Sequence, residues 1–294
     1  MESSISIVAA SDNHYALLLA ALIKSVEVNH KTNEKLDFYI IDDGISKRNK
    51  TRIQASINPN TTTLHWHPSK GVVPENVKIP VDHTAFPLTT YLRLFGPHIV
   101  PQSVKKILYL DVDMIVQEDI SKLWNVDIGD ALIGAVQDIG KIVSCDWGGV
   151  PNWKELGMDP EAKYFNAGLL VVNTETWRKK GTTNKVLQAM YDNMKHVNFA
   201  DQYGLNVALY NQWAELDPRW NWFANDACEN PFIIHFLDIK PIFKNYRSQQ
   251  SFKDEFYKYL NQTAWKGHKP VSGYNRLMRK AANKIKKRIL KIFS

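Results

Sequence analysis

The segment Lys106-Ile-Leu-Tyr-Leu-Asp111-Val-Asp113-Met-Ile-Val116 decides how this chain is read. An apolar run that predicts a buried strand passes directly into two aspartates separated by one residue, and a second apolar run follows. In an open α/β sheet, ligands gather beyond the carboxyl ends of the strands, so two alternating carboxylates leaving such an end can face one hard cation. A metal and a phosphate follow from that placement. Asp-x-Asp also arises by chance in loops, but two acids set between apolar flanks need a cation or hydrogen-bond donors to offset lost hydration.

A strand ending in Asp-x-Asp also fits a phosphatase of the haloacid dehalogenase type, with the first Asp as nucleophile and the second as general acid. That alternative expects the motif near the N terminus and Thr or Val two places after the second Asp. Here it follows 110 residues, and Ile115 holds that place.

Outward from this segment the chain alternates strands with helices. Ser4 to Ala10 reads as a buried strand, Ser11 to His14 as a polar loop, and Tyr15 to Asn29 as an apolar-periodic helix. Leu36 to Ile41 predicts a second strand, Ser46 is placed to cap a helix reaching about Ile57, and Thr61 to His67 alternates as a third strand. Thr89 to Phe95, Thr174 to His196 and Asp201 to Asn211 predict helices; Ala131 to Val136, Leu169 to Val172 and Pro231 to Phe236 predict strands. The alternation points to an α/β fold with a doubly wound, mostly parallel central sheet. No repeat or linker interrupts it before about residue 261, which predicts one domain over 1–260 and a C-terminal extension over 261–294.

With 294 residues, 44% hydrophobic and 23% charged, the chain is long and apolar enough to bury a sizeable core, and dominant disorder is excluded. Two cysteines, Cys145 and Cys228, are too few for a disulfide framework and fit a reducing, cytoplasmic setting. The N terminus lacks a basic region, and Ile5 to Ala10 is short for a signal peptide. Ala16 to Ile23 ends at Lys24, far short of the roughly 20 residues a membrane span needs. Of the net charge of +7, the tail from Arg276 to Ser294 carries eight Lys or Arg and no acid, so the preceding 275 residues stand at −1. A body of that charge is not expected to bind nucleic acid.

Six motifs recur in order: Ala10-Ser-Asp12-x-x-Tyr15, Thr89-Thr-Tyr-x-Arg93-Leu, Leu108-Tyr-Leu-Asp111-x-Asp113, Tyr164-Phe-Asn166-Ala-Gly168, Asp201-Gln202-x-x-Leu-Asn206 and His235-Phe-x-x-x-Lys240-Pro241. Through them, over roughly Ile5 to Pro241, the chain resembles glycosyltransferase family 8. These are retaining UDP-sugar transferases that include bacterial lipopolysaccharide galactosyl- and glucosyltransferases and, more distantly, glycogenin. The resemblance implies a single GT-A domain, the Rossmann-like fold of nucleotide-diphospho-sugar transferases.

By that resemblance Ala10, Asp12, His14 and Tyr15 hold the uracil and ribose, with Tyr15 on the base; capping a helix is the plainer use of Asp12. Asp111, Asp113 and His235 take Mn(II) or Mg(II) together with the UDP diphosphate, Val112 lies in the same donor pocket, and Lys240 neutralises the departing diphosphate. Without that context a histidine on an apolar strand is commonly a core residue. The resemblance further assigns Arg93 to the sugar or diphosphate, Asn166 and Asp138 to the sugar side, and a tight backbone passage to Gly168. Asp201 would meet sugar hydroxyls, or simply cap its helix, and the Gln202 amide would lie below the anomeric carbon. Gln202 is a poor nucleophile and Tyr203 stands where relatives commonly carry Asp, which favours front-face substitution over double displacement.

In the tail, Met278, Ala282, Ile285, Ile289 and Ile292 form a helical stripe opposite Arg279, Lys280, Lys284, Lys286, Lys287 and Lys291. A basic amphipathic helix of this kind predicts a peripheral position on the inner face of the cell membrane, against anionic lipid. The combined expectation is a metal-dependent enzyme moving galactose or glucose from a UDP-sugar to a lipid-linked or cell-surface glycan. A non-catalytic nucleotide-sugar or glycan-binding protein is the alternative from another class. Two further patterns are weaker. His65 and His67 share one strand face, as at an exposed sheet edge or a second metal site. Trp213, Trp220, Trp222 and Trp265 suit either sugar-stacking walls or core.

Overall fold

The computed structural model describes residues 4–80, 82, 86–274, 277, 278, 281, 282 and 285. The first half follows the periodicity closely: strand β1 (Ser4–Asp12), helix α1 (Ala16–Asn29), β2 (Lys35–Asp43), α2 (Lys47–Gln54) and β3 (Thr62–Pro68). Ser46 caps α2, its hydroxyl accepting from the Asn49 amide at 3.3 Å. Seven further strands follow: β4 (Lys106–Leu110), β5 (Met114–Val116), β6 (Ile133–Ile142), β7 (Lys163–Asn173), β8 (Trp213–Glu215), β9 (Trp222–Phe223) and β10 (Ile233–His235).

Among the described residues, seven strands form one sheet in the order β3-β2-β1-β4-β7-β6-β8, with only the β4–β7 and β7–β6 pairs antiparallel. Both faces are covered, which is why the central strands read as unbroken apolar runs. In β1, Ile5, Ile7 and Ala9 pack into the core beneath α1, while Val8 and Ala10 enter a second core on the other face. In β4, Leu108 and Leu110 join the first core, Ile107 and Tyr109 the second.

The sheet grows from β1 to β2 in one direction and from β1 to β4 in the other, so the strand order reverses between β1 and β4. Their carboxyl ends, Asp12 and Leu110-Asp111, flank the crevice that such a reversal opens. A three-stranded sheet of β5, β10 and β9 closes the side of this crevice.

Two helices differ from the pattern. Leu88–Phe95 is a 3-10 helix. The stretch expected as one helix from Thr174 to His196 divides into Thr174–Lys179 and Thr182–Asp192, because Gly181 takes a left-handed φ of +61° and turns the chain. Beyond helix Gln250–Leu260 the chain still packs on the body: Trp265 is buried with the Arg52 guanidinium 3.9 Å from its ring centroid, and the Val271 amide donates to Ile242 O at 2.8 Å. The predicted tail helix lies largely outside the described residues, including all of its basic positions and Ile289 and Ile292. No helix among the described residues is long and apolar enough to cross a membrane. Trp220 is buried like Trp265, as core rather than wall. His65 and His67 lie on edge strand β3, where both rings stack on Tyr39 and His65 Nε2 is 3.1 Å from Asp37.

Candidate active site

Asp111 leaves the end of β4 with its amide donating to Gly168 O at 2.8 Å, continuing the β4–β7 ladder by one residue. Asp113 stands at the start of β5, where the Phe236 amide donates to its carbonyl at 2.9 Å. The antiparallel β5–β10 register, which pairs Met114 with His235, brings a histidine from the far end of the chain beside Asp113. One ligand atom from each of Asp111, Asp113 and His235 falls within 4.8 Å of the other two. Two carboxylates and one imidazole are a donor set suited to Mn(II) or Mg(II). Gly168 completes the fit, since a Cβ there would lie 2.6 Å from His235 Cε1 and displace the imidazole.

A lysine already stands in this cluster. Lys240 pairs with Asp113 and donates to Phe236 O at 2.6 Å, while His235 Nε2 is 3.4 Å from Asp113 Oδ1. Burial opposes the charge on Asp113, yet Lys240 and His235 hold its carboxyl below the usual range. Burial likewise opposes the charge on Lys240, and Asp113 more than restores it. The loop between His235 and Lys240 turns at Asp238, whose φ of +53° is a left-handed conformation that Asp tolerates better than most residues.

Arg93 lies beneath the first aspartate. Its Nη1 approaches Asp111 at 3.4 Å and donates to Ala167 O, and its Nε is 2.9 Å from Asp201 Oδ2. Burial works against the guanidinium charge, but Asp111 and Asp201 hold it firmly protonated. Asp201 is fully buried under Arg93 and offers no surface to a ligand. Burial is the main cause that raises its pKa to about 7, against the pull of Arg93.

A line of side chains extends away from the metal ligands. His235 Nδ1 is 2.9 Å from Asn221 Oδ1, Asn221 Nδ2 donates to Asn166 Oδ1 at 2.9 Å, and Asn166 Nδ2 donates to Asp138 Oδ2 at 3.2 Å. The same Asp138 oxygen accepts from Gln202 Nε2 at 2.8 Å, and Gln202 Oε1 accepts from the Ala167 amide at 3.0 Å. Lys141 Nζ pairs with the other Asp138 oxygen at 3.2 Å. Backbone strain clusters here: Ile139 follows Asp138 with φ +31°, and Ala200 precedes Asp201 with φ +49°.

Thus Arg93, Asp111, Asp113, Asn166, Gly168, Asp201, Gln202, His235 and Lys240, predicted from five separate motifs, are brought together with Asp138 around one crevice. Val112 is buried between the two aspartates. At the neighbouring end of β1, Ala10 is buried and Asp12 Oδ1 accepts from the His14 and Tyr15 amides at 2.9 and 3.0 Å, bracing the turn into α1; the helix itself starts after Tyr15 without a side-chain cap, so Asp12 is not its N-cap. His14 packs against Tyr15 and, with Asn13, Arg52, Trp265 and His268, lines a cavity of about 560 Å³. Asn221 and Lys141 escaped the sequence reading: Asn221 sits among ordinary aromatic residues, and Lys141 has no motif spacing to mark it.

Comparison with known proteins bears on this geometry. The sequence profile described as Glycosyl transferase family 8 matches residues 6–261. The chain is 30% identical over 287 residues to General stress protein A of Bacillus subtilis strain 168, an alignment covering 88% of this chain and 94% of that protein. It is 27% identical over 223 residues to a protein named Putative glycosyltransferase from Haemophilus influenzae, covering 76% of this chain and 64% of that one. Among solved structures, the galactosyltransferase LgtC in complex with donor and acceptor sugar analogues matches with a TM-score of 0.73 at 23% identity, over 88% of this chain and 96% of that one. That likeness is one of fold, and it is the GT-A type that the motifs implied.

Proposed function

The chain belongs to glycosyltransferase family 8, and from that premise we propose that it moves galactose or glucose from a UDP-sugar to a lipid-linked or cell-surface glycan, with retention and with a divalent cation. The observation that carries the reading is the convergence of Asp111, Asp113 and His235 within 4.8 Å at the strand-order reversal, with Lys240 beside them. Bound there, Mn(II) or Mg(II) would supply Lewis-acid stabilisation of the diphosphate.

The chain's own residues account for the rest. Asp12, His14 and Tyr15, with Ala10, form the nucleotide end at β1. Lys240 offsets negative charge gathering on the leaving oxygen, as a fixed cation in a partly dry crevice does best. Asp201 holds Arg93, which in turn orients Asp111. Asn166, Asp138 and Gln202 form the sugar end.

Front-face substitution fits these positions. The acceptor oxygen bonds to the anomeric carbon on the side from which UDP departs, the bond from that carbon to the diphosphate oxygen breaks, and the acceptor proton passes to a phosphate oxygen. Double displacement needs a free carboxylate on the opposite face. Asp201 is sealed under Arg93, Asp138 is held by Lys141, Asn166 and Gln202, and the Tyr203 hydroxyl is turned to Asn152 Oδ1 at 2.7 Å.

The test is Mn(II)-dependent hydrolysis of UDP-galactose and UDP-glucose by the purified protein and by Asp113→Asn. The variant is expected to lose turnover and Mn(II) binding. It should also lose some stability, because Lys240 then stands partly buried without its carboxylate. Full activity in Asp113→Asn would refute the metal assignment. Binding of UDP and Mn(II) without hydrolysis or transfer would favour a non-catalytic binding protein.

A further inference from the structure

Trp147 is the most exposed large apolar side chain named among the described residues, at 70%, yet it is held from several sides. Lys141 Nζ lies 4.3 Å from its ring centroid, and the Phe199 ring meets it edge-on at 5.8 Å. The loop carrying it is closed by the Gly149 amide on Cys145 O at 2.9 Å and the Val150 amide on Val143 O at 2.8 Å. Asn198 Nδ2 ties that loop to the segment before Asp201 by donating to Gly149 O at 2.9 Å. Glycine is required next to the tryptophan: Gly148 has φ +93°, and a Cβ there would lie 2.7 Å from Lys141 Nζ.

The lysine that steadies the indole is the one paired with Asp138, whose other oxygen binds Gln202. Contacts therefore run from Asp113 through His235, Asn221, Asn166, Asp138 and Lys141 to Trp147. Nucleotide, cation and transferred sugar lie in that order along the crevice in the reading above, and the next group along it is the one that receives the sugar. Exposed apolar surface kept rigid beside a polar site marks a place for a ligand. A pyranose presents a flat face of C–H groups whose slight positive charge complements the negative face of an indole. Phe199 at the indole edge widens this apolar ledge.

We infer that Trp147 is the stacking platform for a pyranose ring of the acceptor glycan, one ion pair beyond the sugar end of the site. The inference rests on the reading of Asp138 and Gln202 as that end.

Fluorine NMR of protein labelled with fluorotryptophan tests it, with Trp147→Phe identifying the resonance of residue 147. In the presence of UDP and Mn(II), methyl β-D-glucopyranoside or methyl β-D-galactopyranoside is expected to move that resonance saturably. Sorbitol, a polyol without a flat ring face, should leave it in place. Trp147→Ala is expected to weaken pyranoside binding about tenfold by saturation-transfer NMR, with phenylalanine restoring part of it. No movement with either pyranoside, or equal movement with sorbitol, overturns the platform. Binding of UDP and Mn(II), measured separately by calorimetry, shows whether the transferase reading has failed instead.

Discussion

His235 Nδ1 lies 2.9 Å from Asn221 Oδ1, and this contact determines which imidazole nitrogen faces Asp113. The direction is set by a backbone amide. The Gly168 N–H can only donate, so the Asn166 atom that it meets at 2.9 Å is the oxygen. The Asn221 atom facing that same oxygen must then be its nitrogen, which leaves the Asn221 oxygen for His235. Nδ1 therefore carries the proton, and the Nε2 lone pair points to the metal position.

Replacing Asn221 with Leu should release that tautomer. Nitrogen NMR of labelled imidazole is expected to show a mixture of Nδ1–H and Nε2–H forms at His235, and Mn(II) affinity should fall about 10- to 100-fold, as for other lost partners of metal-bound histidines. Asn221→Asp, which still accepts from Nδ1, should keep the single tautomer. A single tautomer in Asn221→Leu would sink the assignment.

Asp201 predicts a pH dependence of stability. Its folded pKa of about 7 stands above the unfolded value of about 3.9, chiefly through burial, so between these limits the folded state binds more protons than the unfolded one. The contribution is fully present below about pH 4 and is lost as pH rises through about 7, with a slope of up to about 1.4 kcal/mol per pH unit. In metal-free protein, thermal unfolding across this window should show that slope in the parent chain and lack it in Asp201→Asn. Parallel profiles would contradict it.

Asp238 separates a backbone requirement from a side-chain one. At φ +53°, Asp238→Val should be about 1–2 kcal/mol less stable than Asp238→Gly, because both lose the carboxylate and only the β-branched residue resists this conformation. Denaturant unfolding of the two variants measures the difference, and a valine variant as stable as the glycine one would refute it.

The basic tail is proposed to act in location and not in chemistry. Removing Arg276 to Ser294 deletes eight cations, each contributing on the order of 1 kcal/mol near an anionic surface. Co-sedimentation with anionic vesicles should fall sharply, while UDP-sugar hydrolysis persists because all proposed site residues precede Pro241. Equal sedimentation of full-length and truncated chains would refute the anchor.

By itself the sequence determined what rests on neighbours along the chain. Apolar continuity marked β1 and β4 because both of their faces are buried, Ser46 announced the start of α2, and Asp111-Val112-Asp113 stood out because a strand end and two carboxylates are adjacent in sequence. Boundaries blurred where a single backbone angle decides, as at Gly181. The tertiary structure alone decided how Met114 and His235 come into register, that Asp201 is sealed beneath Arg93, and that Asn221 orients the metal-facing imidazole. It also placed Lys141 between Asp138 and Trp147. These depend on long-range strand pairing and on the direction of buried hydrogen bonds, and both are set by which groups meet in space, with no periodic trace along the chain.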